Sequence, residues 1–469
     1  MADNFWENMD QYRKFGFDPL KWISGCSNEV DESLVRAALS EVKHTSIKIA
    51  PSWHDSFFYM DGKEPELTRR VYDFANPEVS GEFEAKRAVT MFRVHSSIAE
   101  SASGLAASLQ KFLGSFKNKV AVANAKFALT EHQDAQFALL DYIHLHRGDK
   151  AGYMPAVTSC TPITDITTAP DDEIHVKIAL TAAIEALNLL GCGNPSTFKF
   201  FPIYDAPTDS MLDKIRTNLD AFMSHYNLVM EDYSSLKRGR LFYGTTAMAI
   251  TNKELPTKYD QVEEGMEILL TNKFGGLAAA SMHALALMDS ANADKFEQAG
   301  VSMQSIATAR DEAIKNLSTP HFALGKVIAK FCPDFGSAFD KNAHIAAVYP
   351  AGPRGLFALG SLAELANSSL VINDLPLRHE EISRLATKEF LVENSTASIH
   401  GCHVIIGTKE VLGSIAAELS QHHFAPEKIG FVAKKGTTSV ILQKDASQFI
   451  SSKAKLARLA EVSAPKPAG

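Results

Sequence analysis

The chain has 469 residues, 45% of them hydrophobic and 22% charged, enough to bury a large core and form two or three domains, which excludes a disordered, collagen-like or minimal module. Forty-seven Lys+Arg against 55 Asp+Glu leave a net charge of −8, which gives no general attraction to nucleic acid or an anionic membrane, so neither is expected as a partner. The five cysteines (Cys26, Cys160, Cys192, Cys332, Cys402) are scattered and contain no CxxC pair, so a disulfide framework or structural zinc site is not expected and a reducing compartment fits.

Residues 1–17 lack a cationic start leading into an apolar stretch, and no run approaches the roughly 18 apolar residues of a membrane span. A soluble, cytoplasmic protein is expected, the sequence leaving an organellar matrix open as the second reading. Residues 1–130 read as mostly helical, with apolar residues at helix spacing over Asp31–Val42 and Glu82–Phe127, interrupted by an aromatic loop at Ala50–Tyr59.

From about Ala135 short strands alternate with helices, an α/β texture. Strands are expected at Gln136–Leu145 and Tyr153–Cys160, a long helix at Asp172–Leu190, a strand at Thr197–Tyr204, a helix at Asp209–Tyr226 and a strand at Leu241–Ile250. The polar, Pro-containing segment Lys253–Gln261 is read as a domain connector. Beyond it come a strand at Met266–Thr271, a helix at Leu277–Met288, a largely helical stretch over Ser305–Cys332, a strand at Ala343–Tyr349, a helix at Gly355–Ala366 and a strand at Ser369–Asn373. Strands at His403–Gly407 and Lys428–Ala433 frame a helix at Lys409–His422, and Thr438–Leu442 closes the sheet. The expected organisation is a helical region 1–130, α/β domains 131–256 and 257–450, and a loose tail 451–469.

The order of several short motifs resembles the selenophosphate synthetase (selenide, water dikinase) family, in the superfamily that also holds aminoimidazole ribonucleotide synthetase. Gln133-Asp134-Ala135 resembles the turn that opens the family's catalytic part, and Ile163-Thr164-Asp165 with Pro170-Asp171-Asp172 resembles its acidic loop. Gly265 to Thr271 and Gly275 is similar to its Gly-Asp-x-Leu-x-Leu-Thr strand and turn, Gly355–Ala366 to its Gly-Phe-Gly-x-Leu-Gly helix start, and Val371–Pro376 and Ile429–Gly436 to later strands.

The resemblance implies a two-domain aminoimidazole ribonucleotide synthetase-like α/β fold carrying an extra helical amino-terminal region. It also implies a homodimer formed through the first-domain sheets. Such an enzyme transfers the γ-phosphoryl of ATP to selenide and needs carboxylates from separate loops to hold Mg²⁺ against the polyphosphate. The implied nucleotide-binding residues are Asp134, Asp165, Asp171, Asp172 and Thr271; the implied metal ligands are Asp134, Asp165 and Glu185; Cys26 falls at the reactive position. The residues themselves also allow a structural reading, in which Asp134 and Asp165 cap turns and Asp171-Asp172 start a helix.

The sequence departs from the family at several chemical positions. Ungapped alignment puts Ala186 where the family has its helix-borne carboxylate, and Glu185 is about 100° away around the helix. The stretch Ala346–Gly355 contains no acid where the family has its last metal ligand, and Asp232-Tyr233-Ser234-Ser235 replaces a Gly-rich turn. In Ser24–Val30, Glu29 stands in place of the family's lysine, a charge reversal that opposes polyphosphate binding and raises the Cys26 thiol pKa. His144 and His146 share a strand face with Arg147 nearby. His400-Gly401-Cys402-His403 has metal-ligand residue types at a position the family packs against its sheet, and Lys237–Arg240 and Lys434-Lys435 are basic turns. Two functions follow: a catalytically degenerate relative acting as a scaffold or regulatory subunit, with the helical region meeting a protein partner, or an active ATP-dependent phosphotransferase making selenophosphate or phosphorylating another small acceptor.

Overall fold

A computed structural model of the chain describes residues 2–15, 57–58, 71–73, 121–122, 141–147, 150–161, 167–232, 241–389, 392–442 and 446–451. The chain begins with helix α1 (Ala2–Lys14). Strands β1 (Phe57–Phe58), β2 (Val71–Asp73) and β3 (Ala121–Val122) follow within the region 1–130 read as mostly helical: β1 lies in the aromatic loop Ala50–Tyr59, β3 in Glu82–Phe127, whose spacing predicts helix, and β1 pairs with β3. Phe57, Phe58, Val71, Tyr72 and Val122 are aromatic or β-branched residues suited to a pleated surface, a local preference that a helix-period count does not register. The helix expected over Asp31–Val42 lies outside the described residues.

The first sheet continues with β4 (Asp141–Arg147) and β5 (Lys150–Thr161), a tight antiparallel hairpin. It is completed by β6 (Lys199–Asp205), β7 (Val229–Met230) and β8 (Phe242–Met248), in the order β2-β4-β5-β8-β6-β7. Helices α2 (Glu173–Leu189) and α3 (Asp209–Tyr226) connect these strands. Thr208 caps α3 by accepting a hydrogen bond from the Met211 N–H, and Asn227 ends it at φ 53° in the left-handed region. Its buried residues Met211, Ile215, Leu219, Phe222 and Met223 make one apolar stripe. Helix α2 is different: from Ile178 to Leu189 every residue is buried, because it packs on β5 and β8 and also against helices of the second half of the molecule.

That second half is built on β9 (Glu267–Leu270), β10 (Ala347–Pro350), β11 (Ser368–Ile372), β12 (His403–Gly407), β13 (Glu427–Lys435) and β14 (Ser439–Leu442), in the order β10-β12-β9-β13-β11-β14. All neighbours are antiparallel except β11 and β14. Around it lie α4 (Leu277–Met288), α5 (Ser290–Gln298), α6 (Met303–Ser318), α7 (Phe322–Lys330), α8 (Ala358–Leu365), α9 (Glu380–Lys388) and α10 (Lys409–Gln421).

The stretch Ser305–Cys332 is largely helical, as expected, and consists of α6 and α7 divided at Thr319-Pro320-His321, since proline disfavours the helical conformation of the residue before it and removes an N–H. Helix α8 starts later than expected because Gly352–Phe357 forms a 3₁₀ turn with Gly355 at φ 51°.

One apolar cluster runs through both halves, taking Phe5, Met9 and Tyr12 from α1, Phe200, Tyr204 and Tyr243 from the first sheet, and Ile268, Val404 and Ile429 from the second. The segment between β8 and β9 contributes buried Leu255, Tyr259 and Val262 to it, and the Tyr259 hydroxyl donates to the Val348 carbonyl at 3.2 Å. No helix among the described residues is long and apolar enough to cross a membrane.

Candidate functional site

A carboxylate in the wholly buried part of α2 must find partners or remain costly to bury. Glu185, 0% exposed, finds them in the second half of the molecule. Its Oε1 accepts a hydrogen bond from the Gly401 N–H and faces His403 Nε2 at 2.5 Å, while Oε2 stands 3.6 Å from His321 Nδ1. Burial by itself would lift the carboxyl pKa, but the adjacent imidazoles of His403 and His321 overcome that and hold it well below the usual carboxylate range.

His400 is also buried, without a well-formed hydrogen bond on either ring nitrogen, and desolvation pushes its pKa down to about 4, so the ring is neutral near pH 7. Thr271 closes the other side: its Oγ1 donates to the Gly401 carbonyl at 2.7 Å and accepts from the His403 N–H at 2.8 Å.

Local structure explains how these groups meet. β12 starts at His403 and pairs with β9, Val404 lying opposite Leu270, so the residues just before β12 arrive beside Thr271. Gly401 has φ 80°, and a Cβ there would stand 3.3 Å from ring atoms of both His321 and Phe424. Glycine therefore allows Gly401 to offer its N–H to Glu185 and its carbonyl to Thr271 at once. His321 comes from the Pro320 break ahead of α7, where its carbonyl also accepts from Asn188 of α2 at 3.1 Å.

The structure thus brings together Glu185 and Thr271, joined through Gly401 and His403. It places the other described acids elsewhere. Asp172 caps α2, its Oδ1 accepting from the Ile174 N–H at 2.9 Å, and Asp171 is ion-paired with Lys214 at 3.1 Å. Glu185 lies thirteen positions after Asp172, about 20 Å along the helix axis.

Among the described residues no three His, Cys, Asp or Glu side chains form a metal-binding group. These acids, each engaged and divided between the two ends of α2, do not by themselves fit a Mg²⁺–nucleotide. Cys26, Asp134, Asp165 and Lys237–Arg240 lie outside the described residues.

The acid-free stretch before α8 carries a different network. Buried Arg354 donates to Ser361 Oγ at 2.6 Å, its carbonyl accepts from Asn394 Nδ2 at 2.9 Å, and Thr396 Oγ1 accepts from the Leu356 N–H at 2.9 Å. Lys435 is also engaged: its Nζ donates to the Val262 carbonyl at 2.8 Å, pinning the segment between β8 and β9 against β13. Near the start of α2, Val176, Leu180, Tyr204 and Tyr243 among others line a cavity of about 10 Å³, room for about one water and not for a small-molecule ligand.

Residue spacing alone did not single out His321 or the joining role of His403. The available signal was the acid inside an otherwise apolar helix, which requires a partner, together with the histidine-rich His400–His403 segment.

The described residues form a mixed α/β architecture of two six-stranded sheets and the β1–β3 pair with connecting helices. No protein-family model and no curated protein matches the chain. Among solved structures it is similar to the hydrogenase maturation protein HypE, at 15% identity and a TM-score of 0.40, covering 57% of this chain and 78% of that one. It is also similar to thiamine-monophosphate kinase from Stenotrophomonas maltophilia K279a, at 14% identity and a TM-score of 0.44, covering 64% and 87%. A third similar structure is the thiamine monophosphate kinase of Aquifex aeolicus, at 11% identity and a TM-score of 0.40, covering 63% and 89%.

Proposed function

We propose that the chain is a divergent aminoimidazole ribonucleotide synthetase-like protein, related to selenophosphate synthetases, that has lost the family's phosphoryl transfer and serves as a scaffold or regulatory subunit. In this reading the two sheets belong to successive domains divided near Lys253–Gln261, two copies associate through the first sheet, and the amino-terminal region meets a protein partner. The observation that carries it is the commitment of Glu185. The acid nearest the family's helix-borne metal ligand is buried against His403, His321 and Gly401. The caps and ion pair at Asp172 and Asp171 support the same reading, as do Glu29 in place of the family lysine and the lack of acid in Ala346–Gly355.

The test is to supply purified protein with selenide, ATP and Mg²⁺ and measure ATP consumption and selenophosphate. Removing one preorganised charge contact costs about 10²–10³ in rate, so two such losses place turnover near background. Glu29→Lys alone is expected not to restore it. Robust selenophosphate production by the wild-type chain overturns the reading in favour of an active phosphotransferase. Any residual Mg²⁺-dependent ATP binding rests on Asp134, Asp165 and the partly exposed Asp171, and Asp134→Asn with Asp171→Asn abolishes it; unchanged affinity removes these acids from the site.

A further inference from the structure

Helix α1 carries Phe5, Met9 and Tyr12 at positions i, i+4 and i+7, all three fully buried, while Asn4, Trp6, Glu7, Asp10, Gln11 and Arg13 are exposed. This single stripe is the pattern of a helix laid in a groove. α1 packs against α4, and among the described residues its long-range side-chain hydrogen bonds go to the segment that enters α2. Asn8 Nδ2 donates to the Thr167 carbonyl at 3.0 Å, the Tyr12 hydroxyl donates to the Thr168 carbonyl at 3.0 Å, and the Tyr12 oxygen lies 2.9 Å from His175 Nε2.

The same loop is gripped from other sides. Arg310 of α6 donates to Thr167 Oγ1 at 2.7 Å, the Tyr243 hydroxyl donates to the Pro170 carbonyl, and the His175 ring stacks on Tyr243 with centroids 6.0 Å apart. Inside the loop, the Asp172 N–H donates to the Ala169 carbonyl at 3.0 Å.

We propose that α1 is a detachable strap, an intramolecular helical ligand whose docking fixes the Thr167–His175 loop and whose release loosens it. An isolated helix of 13 residues is marginal in water, so α1 folds as it docks, and docking and loop order rise and fall together. Phe5 and Met9 supply the apolar anchor. Tyr12 supplies the specificity, because its hydroxyl bridges the Thr168 carbonyl and His175 on the first turn of α2. The loop under the strap carries Asp171 and Asp172, so the strap governs how those acids are presented, whether or not they meet a nucleotide.

Hydrogen-exchange mass spectrometry on the full chain tests this with two variants. Met9→Ala weakens the apolar anchor and is expected to speed exchange about tenfold or more in α1 and in the amides of Asp172 to Val176, leaving β9 and β12 unchanged. Tyr12→Phe keeps the anchor but removes the bridge, and is expected to speed exchange at Asp172–Val176 more than in α1. Unchanged loop exchange in both variants overturns the strap. Equal acceleration across both sheets also overturns it, since α1 would then be an ordinary part of the core.

Discussion

Glu185 and His403 lie 218 positions apart in the chain and 2.5 Å apart in the fold. Neither meets solvent, so their attraction is not diluted as a surface ion pair would be. The pair fastens the central helix of the first half to the strand that borders β9 and β10 in the second. Its loss is felt by both halves.

Removing one member of such a pair leaves the other buried without its partner, which typically costs about 3–5 kcal/mol. Glu185→Ala is expected to lower the urea-unfolding free energy by that amount. Glu185→Gln, which keeps an acceptor for the Gly401 N–H, is expected to cost less. In a double-mutant cycle, Glu185→Gln with His403→Gln should cost less than the two single changes summed. A loss below about 1 kcal/mol for Glu185→Ala would show that the pair is dispensable.

Acid sensitivity follows from His400. Its folded pKa is pushed down to about 4 from the ordinary 6.5, so between these values the unfolded chain binds the proton and the folded chain does not. Stability therefore falls as pH drops from 6.5 toward 4, by about 3 kcal/mol once the window is crossed. Glu185 acts lower: its depressed folded pKa gives stability present above the ordinary 4.5 and lost as pH falls through the folded value. Denaturation midpoints at pH 7 and pH 5 should differ in the wild type and converge in His400→Gln. An unaltered difference would assign the effect to other groups.

Two glycines separate strain from helix propensity. A Cβ at Gly355 would lie 2.3 Å from the Thr396 carbonyl oxygen at φ 51°, so Gly355→Ala is expected to destabilise by about 2–4 kcal/mol through displaced backbone. Gly413, inside α10, has nothing within 4 Å of its would-be Cβ, so Gly413→Ala is expected to stabilise by about 0.5–1 kcal/mol. Thermal or urea unfolding of the two variants reads both signs.

Thiol chemistry divides the five cysteines. Cys192, Cys332 and Cys402 are buried and free; burial raises all three thiols, Cys332 and Cys402 to about 12. A thiol-disulfide reagent is expected to leave these three untouched until denaturant is added, so at most two thiols react in the native protein, Cys26 and Cys160. Peptide mapping that finds rapid labelling at Cys402 would contradict this.

Two kinds of long helix were legible in the sequence: Asp209–Tyr226, with an apolar stripe between Thr208 and Asn227, and Leu277–Met288, an almost continuously apolar run that follows paired glycines. Short helices escaped. Ser290–Gln298 buries only Phe296, and Glu380–Lys388 fits three apolar residues into nine positions just after a left-handed His379. At the site, local spacing could mark Glu185 and Thr271 as unusual but could not supply their partners. His321 and Gly401 reach them only through the chain path of α7 and β12, which no local periodicity records.

The order of the second sheet also sets a timetable for synthesis. Ile268, Leu269 and Leu270 of β9 pair only with β12 and β13, whose first residues are His403 and Glu427. While a ribosome adds the more than one hundred residues between them, this central strand has no strand neighbour, and its apolar side chains must be sheltered by the growing helices or by a chaperone. The late-arriving segment from His403 to Leu442 then zips the sheet from its middle outward, adding β11 and finally β14 at the rim. A chain terminated before β13 would keep one long edge of β9 open, the kind of unpaired edge that pairs with other chains.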